Sequence, residues 1–79
     1  MSYQERLVLT FVPALVTVLF RLEKEKGSAL TRDEVVAARD RSVAIMLPES
    51  EAVEMAKARG YTDLDPEKAW EQWQTIRGK

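Results

Sequence analysis

Arg39 is the residue whose position most strongly suggests chemistry. It lies near the middle of the apolar arc of a helix that the sequence predicts over residues 32–46. A guanidinium group cannot lose its charge, so its burial requires an anionic partner. We expect a structural ion pair with Asp63. Two alternatives stay open: Arg39 extends to solvent at the edge of the arc, or it binds an anionic ligand beside Tyr61 and Trp70.

Trp70 and Trp73 form the second group. They are three residues apart on a predicted amphipathic helix, residues 66–77, together with other apolar side chains. Tryptophans at this spacing are usually anchors of the core, and that is our expectation here. The alternative is that they frame a ligand site or cover a partner's surface, because tryptophan is enriched at binding hot spots.

Three carboxylates, Asp63, Asp65 and Glu67, alternate along one turn and superficially resemble a metal-binding loop. The start of a helix already explains two of them, because Asp65 precedes Pro66 as an N-cap and Glu67 lies in the first turn. A calcium loop of the EF-hand type also requires further ligands and a central glycine, which are missing. The sequence therefore predicts neither a metal site nor a cofactor.

The composition argues against several functions. The 79 residues include no histidine and no cysteine, so the usual general base, the thiol nucleophile and the ligands of structural zinc are missing. We therefore expect no enzymatic activity. The formal net charge is −1 and the basic residues are dispersed, which predicts no binding to nucleic acid.

The longest apolar stretch runs from residue 7 to residue 22 and predicts a long helix. Its β-branched residues favour a strand, but sixteen residues without a turn signal far exceed a usual strand. The less apolar residues are spaced 4, 3, 4, 4 and 3 apart, which places them on one stripe of a helix: Arg6, Thr10, Pro13, Thr17, Arg21 and Lys24. We expect a kink at Pro13 and an end at Gly27.

Three shorter helices are predicted after Gly27. Thr31 and Glu34 form a capping box at the start of the 32–46 helix. A third helix follows the corner at residues 47–50, runs to about residue 59 and stops at Gly60, before the fourth at residues 66–77. The sequence thus predicts an all-α fold: a compact four-helix bundle in one domain, residues 1–79, with one long, kinked, hydrophobic N-terminal helix and three shorter helices.

A run of motifs gives the chain a resemblance to known sequences. Arg39-Asp40 within a helix, a corner, and then the sequence RGYTDLDPE followed by two tryptophans resemble short uncharacterised bacterial proteins, some carried on mobile gene cassettes. The resemblance covers roughly residues 27–77. It implies a compact helical protein and no particular activity.

The predicted N-terminal helix is too long for the other helices to cover. A large exposed apolar strip normally marks an interface, so we expect a symmetric homodimer. The expected interface residues lie along this helix: Leu7, Phe11, Leu15, Val18 and Leu22. The uninterrupted apolar part spans about 21 Å as a helix, shorter than a hydrocarbon core of about 30 Å. Membrane insertion is therefore not expected, and the predicted location is the cytoplasm.

Two functions remain open from the sequence. The first is a non-catalytic protein that acts by protein–protein interaction, as a homodimer or with an unidentified partner. The second is a protein that binds or senses a small acidic amphiphile in an apolar pocket between helices. That pocket would be lined by Phe11, Phe20 and Trp70, with Arg39 at its mouth.

Overall fold

The computed structural model describes residues 5–77, which form four α-helices and a two-stranded antiparallel sheet. The fold is therefore mixed α/β, and the predicted all-α bundle is wrong. The elements follow one another as strand β1 (Leu7–Phe11), helix α1 (Leu15–Lys26), helix α2 (Arg32–Arg41), strand β2 (Ala44–Pro48), helix α3 (Glu49–Arg59), a 3₁₀ turn (Pro66–Lys68) and helix α4 (Ala69–Arg77).

The long N-terminal helix is the main error of the sequence analysis. Its first part is strand β1, the Val12–Pro13 peptide bond is cis, and α1 begins only at Leu15. Proline cannot donate to a strand ladder and crowds the preceding turn of a helix, so Pro13 separates the two elements instead of kinking one. The helical stripe of less apolar residues extends across both elements and corresponds to no single face.

The second helix also ends earlier than its apolar arc suggests. Ser42 adopts an extended backbone conformation, and both its amide and its hydroxyl donate to the carbonyl of Ala38. The amide makes the last i→i−4 bond of the helix, the hydroxyl shares the same acceptor, as serine does near helix ends, and the extended backbone of Ser42 ends the helix. Residues 44–48 then form β2 instead of continuing the helix.

Several local predictions are confirmed. Both bonds of the capping box between Thr31 and Glu34 are present. Gly27 and Gly60 end their helices with φ values of 79° and 84°, in the left-handed region that favours glycine. Asp65 accepts a hydrogen bond from the amide of Glu67, so the predicted N-cap precedes the last helical segment.

The core lies between α1, α2 and α4. Neither β2 nor α3 contributes a buried residue to it. Leu15, Leu19, Val35 and Trp73 are its largest fully buried side chains. The complete set of buried residues in the described chain is Phe11, Ala14, Leu15, Val16, Leu19, Leu30, Val35, Ala38, Leu64, Ala69 and Trp73.

The sheet extends from this core as an arm, and the Cα extents of the molecule are 53 × 23 × 18 Å. The strands pair antiparallel, with Leu9 opposite Met46. One face of the sheet is buried at its inner end, where Phe11 lies in the core. On the other face, α3 contacts both strands, and Val8 shares a cleft with Ala52 of α3. Each face is therefore covered over only part of its length.

Within residues 5–77, none of the helices combines the length and the apolar content that a membrane span requires.

Candidate functional site

The uncovered outer end of the sheet is the first feature of the site. Leu7, Leu9 and Met46 lie on the same face, because the register pairs odd residues of β1 with even residues of β2. Their exposed fractions are 57%, 42% and 53%. We call these three residues the outer sheet face. Three large apolar side chains together on one surface are a common sign of an interaction site.

The hydrogen bonds at the two ends of the ladder show which peptide groups face outward. The amide of Glu49 donates to the carbonyl of Arg6 and that of Val12 to the carbonyl of Val43, both at 2.9 Å. In an antiparallel pair, alternate residues bond across the ladder and those between them point away. Even-numbered residues of β1 therefore bond to β2, and the peptide groups of Leu7 and Leu9 point to the open edge.

Phe11 also points outward, but its carbonyl is already bonded. Arg59 of α3 donates from Nη2 to this carbonyl at 2.8 Å. In the part of the chain that the structure describes, Leu7 and Leu9 thus each carry both a free donor and a free acceptor on this edge, whereas Phe11 offers only its amide. The edge of β2 is less suited to pairing, because its outward residues include Pro48, which has no N–H.

A groove of about 690 Å³ runs beside the open edge of β1. Its second wall is the apolar side of α3, formed by Ala52, Met55 and Ala56. Arg6 lies at its outer end, and the carboxylates of residues 65 and 67 line it on the core side, where Leu64 and Phe11 belong to the same core. Five residues of strand separate these ends, or about 17 Å. Asp63 and Arg59 also line the groove, and Arg59 bonds to the carbonyl of Phe11 at its core end. The groove is therefore basic at its outer end, and at its core end the carboxylates outnumber Arg59.

Arg39 lies outside this groove, and the structure does not pair it with Asp63. Its Nε is 3.0 Å from Oδ1 of Asp40, an exposed neighbour in the sequence. Its Nη1 donates to the carbonyl of Pro66 at 2.9 Å. Arg39 thus links α2 to the turn before α4. The geometry supports a structural role, with a partner other than the one we expected.

Asp63 instead caps helix α1 from 47 and 48 positions away in the sequence. Its two carboxylate oxygens accept the amides of Leu15 at 2.7 Å and Val16 at 2.9 Å. The residue at the N-cap position, Ala14, offers no side-chain acceptor. A carboxylate here is stabilised by the free amides and by the helix dipole. This role is not predicted from the sequence, because the expected partner of Asp63 is Arg39 and no helix start is expected at Leu15.

The aromatic residues divide between the core and the surface. Trp73 is fully buried, and its ring meets Phe20 edge-on, with centroids 4.8 Å apart. Trp70 is partly buried against the core, and Tyr61 is exposed. The indole Nε1 of Trp73 is buried without a hydrogen-bond partner in the described chain. Trp73 is thus the core anchor that the sequence predicts.

The cleft expected for an acidic amphiphile is not assembled around these residues. Phe11 is buried and borders the β1 groove, whereas Phe20 lines a different cleft, near Glu23 and Arg77. A separate cleft of about 810 Å³ lies between α1 and α2, with Val18 and Leu22 among its lining residues. Neither Arg39 nor a tryptophan lines it.

The residues expected in a helical dimer interface do not form one surface. Phe11 and Leu15 are buried in the core, and Val18 and Leu22 are half-buried on α1. Leu7 lies on the strand and is exposed. A dimer built on a long N-terminal helix is therefore wrong, because that helix does not exist.

Two of the three alternating carboxylates cap helical segments. Asp63 caps α1 and Asp65 caps the 3₁₀ turn, so both are used by the backbone. Across residues 5–77, no group of three or more potential ligand side chains is arranged to hold a metal ion.

Comparison with known proteins finds no matching family, no similar curated sequence and no similar solved structure. The resemblance of residues 27–77 to short bacterial proteins therefore stays a prediction.

An ion pair between α1 and α4 gives a prediction about pH. The hydrogen bond from Arg77 lowers the pKa of Glu23 below its ordinary value of 4.5. A carboxyl group with a lowered pKa contributes stability above its unfolded pKa, and this contribution is lost as the pH falls through the folded pKa. We expect Arg77→Gln to raise the pKa of Glu23 towards the ordinary value, as measured by NMR titration of the carboxyl carbons.

Glu34 provides the internal control for this titration. Its pKa is lowered by the hydrogen bond from Lys26 and by the amide of Thr31, neither of which involves Arg77. Its titration should therefore be the same in the wild type and in Arg77→Gln. An unchanged pKa of Glu23 in the variant would contradict the assigned pair.

Proposed function

We propose that this chain is a non-catalytic protein–protein interaction module that acts as a homodimer in the cytoplasm. The outer sheet face and the adjoining open edge of β1 are the proposed contact surface. The observation that carries the proposal is the exposure of Leu7, Leu9 and Met46 on the same face.

The packing of the arm supports this proposal. Strand β2 and helix α3 contain no buried residue, although both are rich in apolar side chains. Burial of apolar surface is the main source of folding stability, and this half of the molecule obtains little of it within one subunit. A second copy at the open edge of β1 would cover part of the outer sheet face, which α3 leaves uncovered because it lies on the opposite face of the sheet.

The roles of the polar residues also support a non-catalytic function. The chain has neither histidine nor cysteine. The charged residues that first suggested chemistry are bonded to the backbone, Asp63 to the start of α1 and Arg39 to Pro66. The proposal therefore assigns these residues to the fold and the interaction to the apolar surface.

Sedimentation equilibrium tests the proposed dimer. We expect a species of twice the 9.0 kDa chain mass at high micromolar concentration. Leu9→Asp should shift this species to the monomer, because it places an uncompensated charge in the contact. Ile45→Asp is the matched control, since Ile45 is 43% exposed against 42% for Leu9 but lies on the opposite face of the sheet.

Two results would contradict the proposal. A mass of 9.0 kDa at every concentration up to the high micromolar range would remove the homodimer. Equal weakening of a dimer by Leu9→Asp and Ile45→Asp would show that the outer sheet face is not the specific contact.

A further inference from the structure

The free peptide groups of β1 specify how two copies can meet. Leu7 and Leu9 each direct one N–H and one C=O away from β2, and these groups have no partner in residues 5–77. We infer that β1 pairs antiparallel with β1 of a second copy, with Leu7 of each copy opposite Leu9 of the other. This inference rests on the proposed homodimer and assigns its contact to the strand edge.

The carbonyl of Phe11 favours this register over the one centred on Leu9. A register with Leu9 opposite Leu9 would place Leu7 opposite Phe11, whose carbonyl already accepts from Arg59. With the two-fold axis at Val8, the bonds involve only Leu7 and Leu9, and each copy donates two N–H groups. The paired residues are the ones whose donors and acceptors both point outward, as an antiparallel ladder requires.

The charges at the ends of the groove favour a second copy as its occupant. Residues 7–11 carry no charge and are preceded by Arg6. The carboxylates of Asp63, Asp65 and Glu67 line the core end of the groove and outnumber Arg59, which lines it too. In an antiparallel pair, β1 of the second copy runs along the groove in the direction opposite to that of the first copy's β1. The Arg6 side chain of each copy therefore approaches the acidic end of the other's groove, so the same segment is complementary to itself.

The side chains fit the same arrangement. A two-fold axis perpendicular to the sheet keeps both outer sheet faces on one side of a four-stranded sheet. Leu7 and Leu9 then become cross-strand neighbours with Cα atoms about 5.5 Å apart, the spacing of a hydrogen-bonded antiparallel pair. Pairing also covers an uncharged apolar edge. An uncovered edge of this kind can add strands from other chains and so cause aggregation.

Amide hydrogen exchange of the wild-type protein, followed by NMR, tests the inference. Val8 and Thr10 bond to β2 and should be protected at every concentration. The amides of Leu7 and Leu9 should exchange quickly in dilute samples and become protected by about tenfold or more as the dimer forms. A dimer in which the amides of Leu7 and Leu9 stay unprotected would overturn the inference.

A pair of variants at one position separates the backbone from the side chain. Leu9→Pro removes the outward N–H but none of the hydrogen bonds between β1 and β2. Leu9→Ala shortens the side chain and keeps the N–H. We expect the proline variant to raise the dissociation constant about tenfold more than the alanine variant. Equal dissociation constants would contradict strand pairing, provided that Val8 and Thr10 stay protected and so show an intact sheet.

The inference and the proposed function fail in different ways. If Leu9→Asp disrupts a dimer in which the wild-type amides of Leu7 and Leu9 are unprotected, the strand pairing is wrong, and the outer sheet face is still the contact. If the protein is a monomer at high micromolar concentration, both the strand pairing and the proposed homodimer are wrong.

Discussion

Replacing Trp73 with alanine is expected to lower the free energy of unfolding by about 3–5 kcal/mol. Trp73 is the largest fully buried side chain, and it lies among residues of α1, α2 and α4. Its removal leaves a cavity that the surrounding backbone cannot fill. A domain of this size has only about 5–15 kcal/mol of stability, so the variant should be largely unfolded well below the melting temperature of the wild type.

Trp73→Phe is the informative control for this substitution. The indole Nε1 is buried without a partner, and an unsatisfied buried donor costs about 1–3 kcal/mol. Phenylalanine removes this donor and keeps an aromatic ring beside Phe20. The loss should therefore be far smaller than for alanine. Urea unfolding followed by circular dichroism measures both values, and equal losses in the two variants would contradict this assignment.

Asp63→Ala is expected to lower the free energy of unfolding by about 1–3 kcal/mol. The change removes the acceptor for the amides of Leu15 and Val16, which belong to buried residues at the start of α1. It also removes a negative charge from the positive end of the helix. Asp63→Asn should lose less than alanine, because its amide oxygen still accepts one of the two bonds.

Asp40→Ala is the control for the loss of a carboxylate. Asp40 pairs with Arg39, but its side chain is 62% exposed, and exposed ion pairs contribute about 0–1 kcal/mol. Thermal unfolding should therefore show a clear shift for Asp63→Ala and little or none for Asp40→Ala. A larger effect at residue 40 than at residue 63 would contradict the assigned roles.

Features decided by neighbouring residues could be predicted from the sequence. The capping box at Thr31 and the glycine stops at residues 27 and 60 depend on contacts within a few positions. The amphipathic pattern around Trp73 likewise identified a core helix. Local hydrogen bonding and helical periodicity are sufficient for such features.

Features decided by distant residues could not be predicted. Residues 7–22 are apolar enough for either a helix or a strand, and residues 7–11 form a strand because residues 44–48 pair with them. The cap of α1 comes from Asp63, across most of the chain. The open edge of β1 follows from the register of the sheet, which no single segment specifies.

The order of the elements along the chain links folding to assembly. All of α1 and α2 lies between the two strands, so closing the sheet requires the chain to be brought together over that whole length. Non-local closure of this kind is slow, whereas neighbouring helices form from local contacts. The helical half should consequently be in place before the two strands join. An incompletely folded chain would then lack the ordered edge that the proposed pairing requires, so two copies would pair only after both have folded.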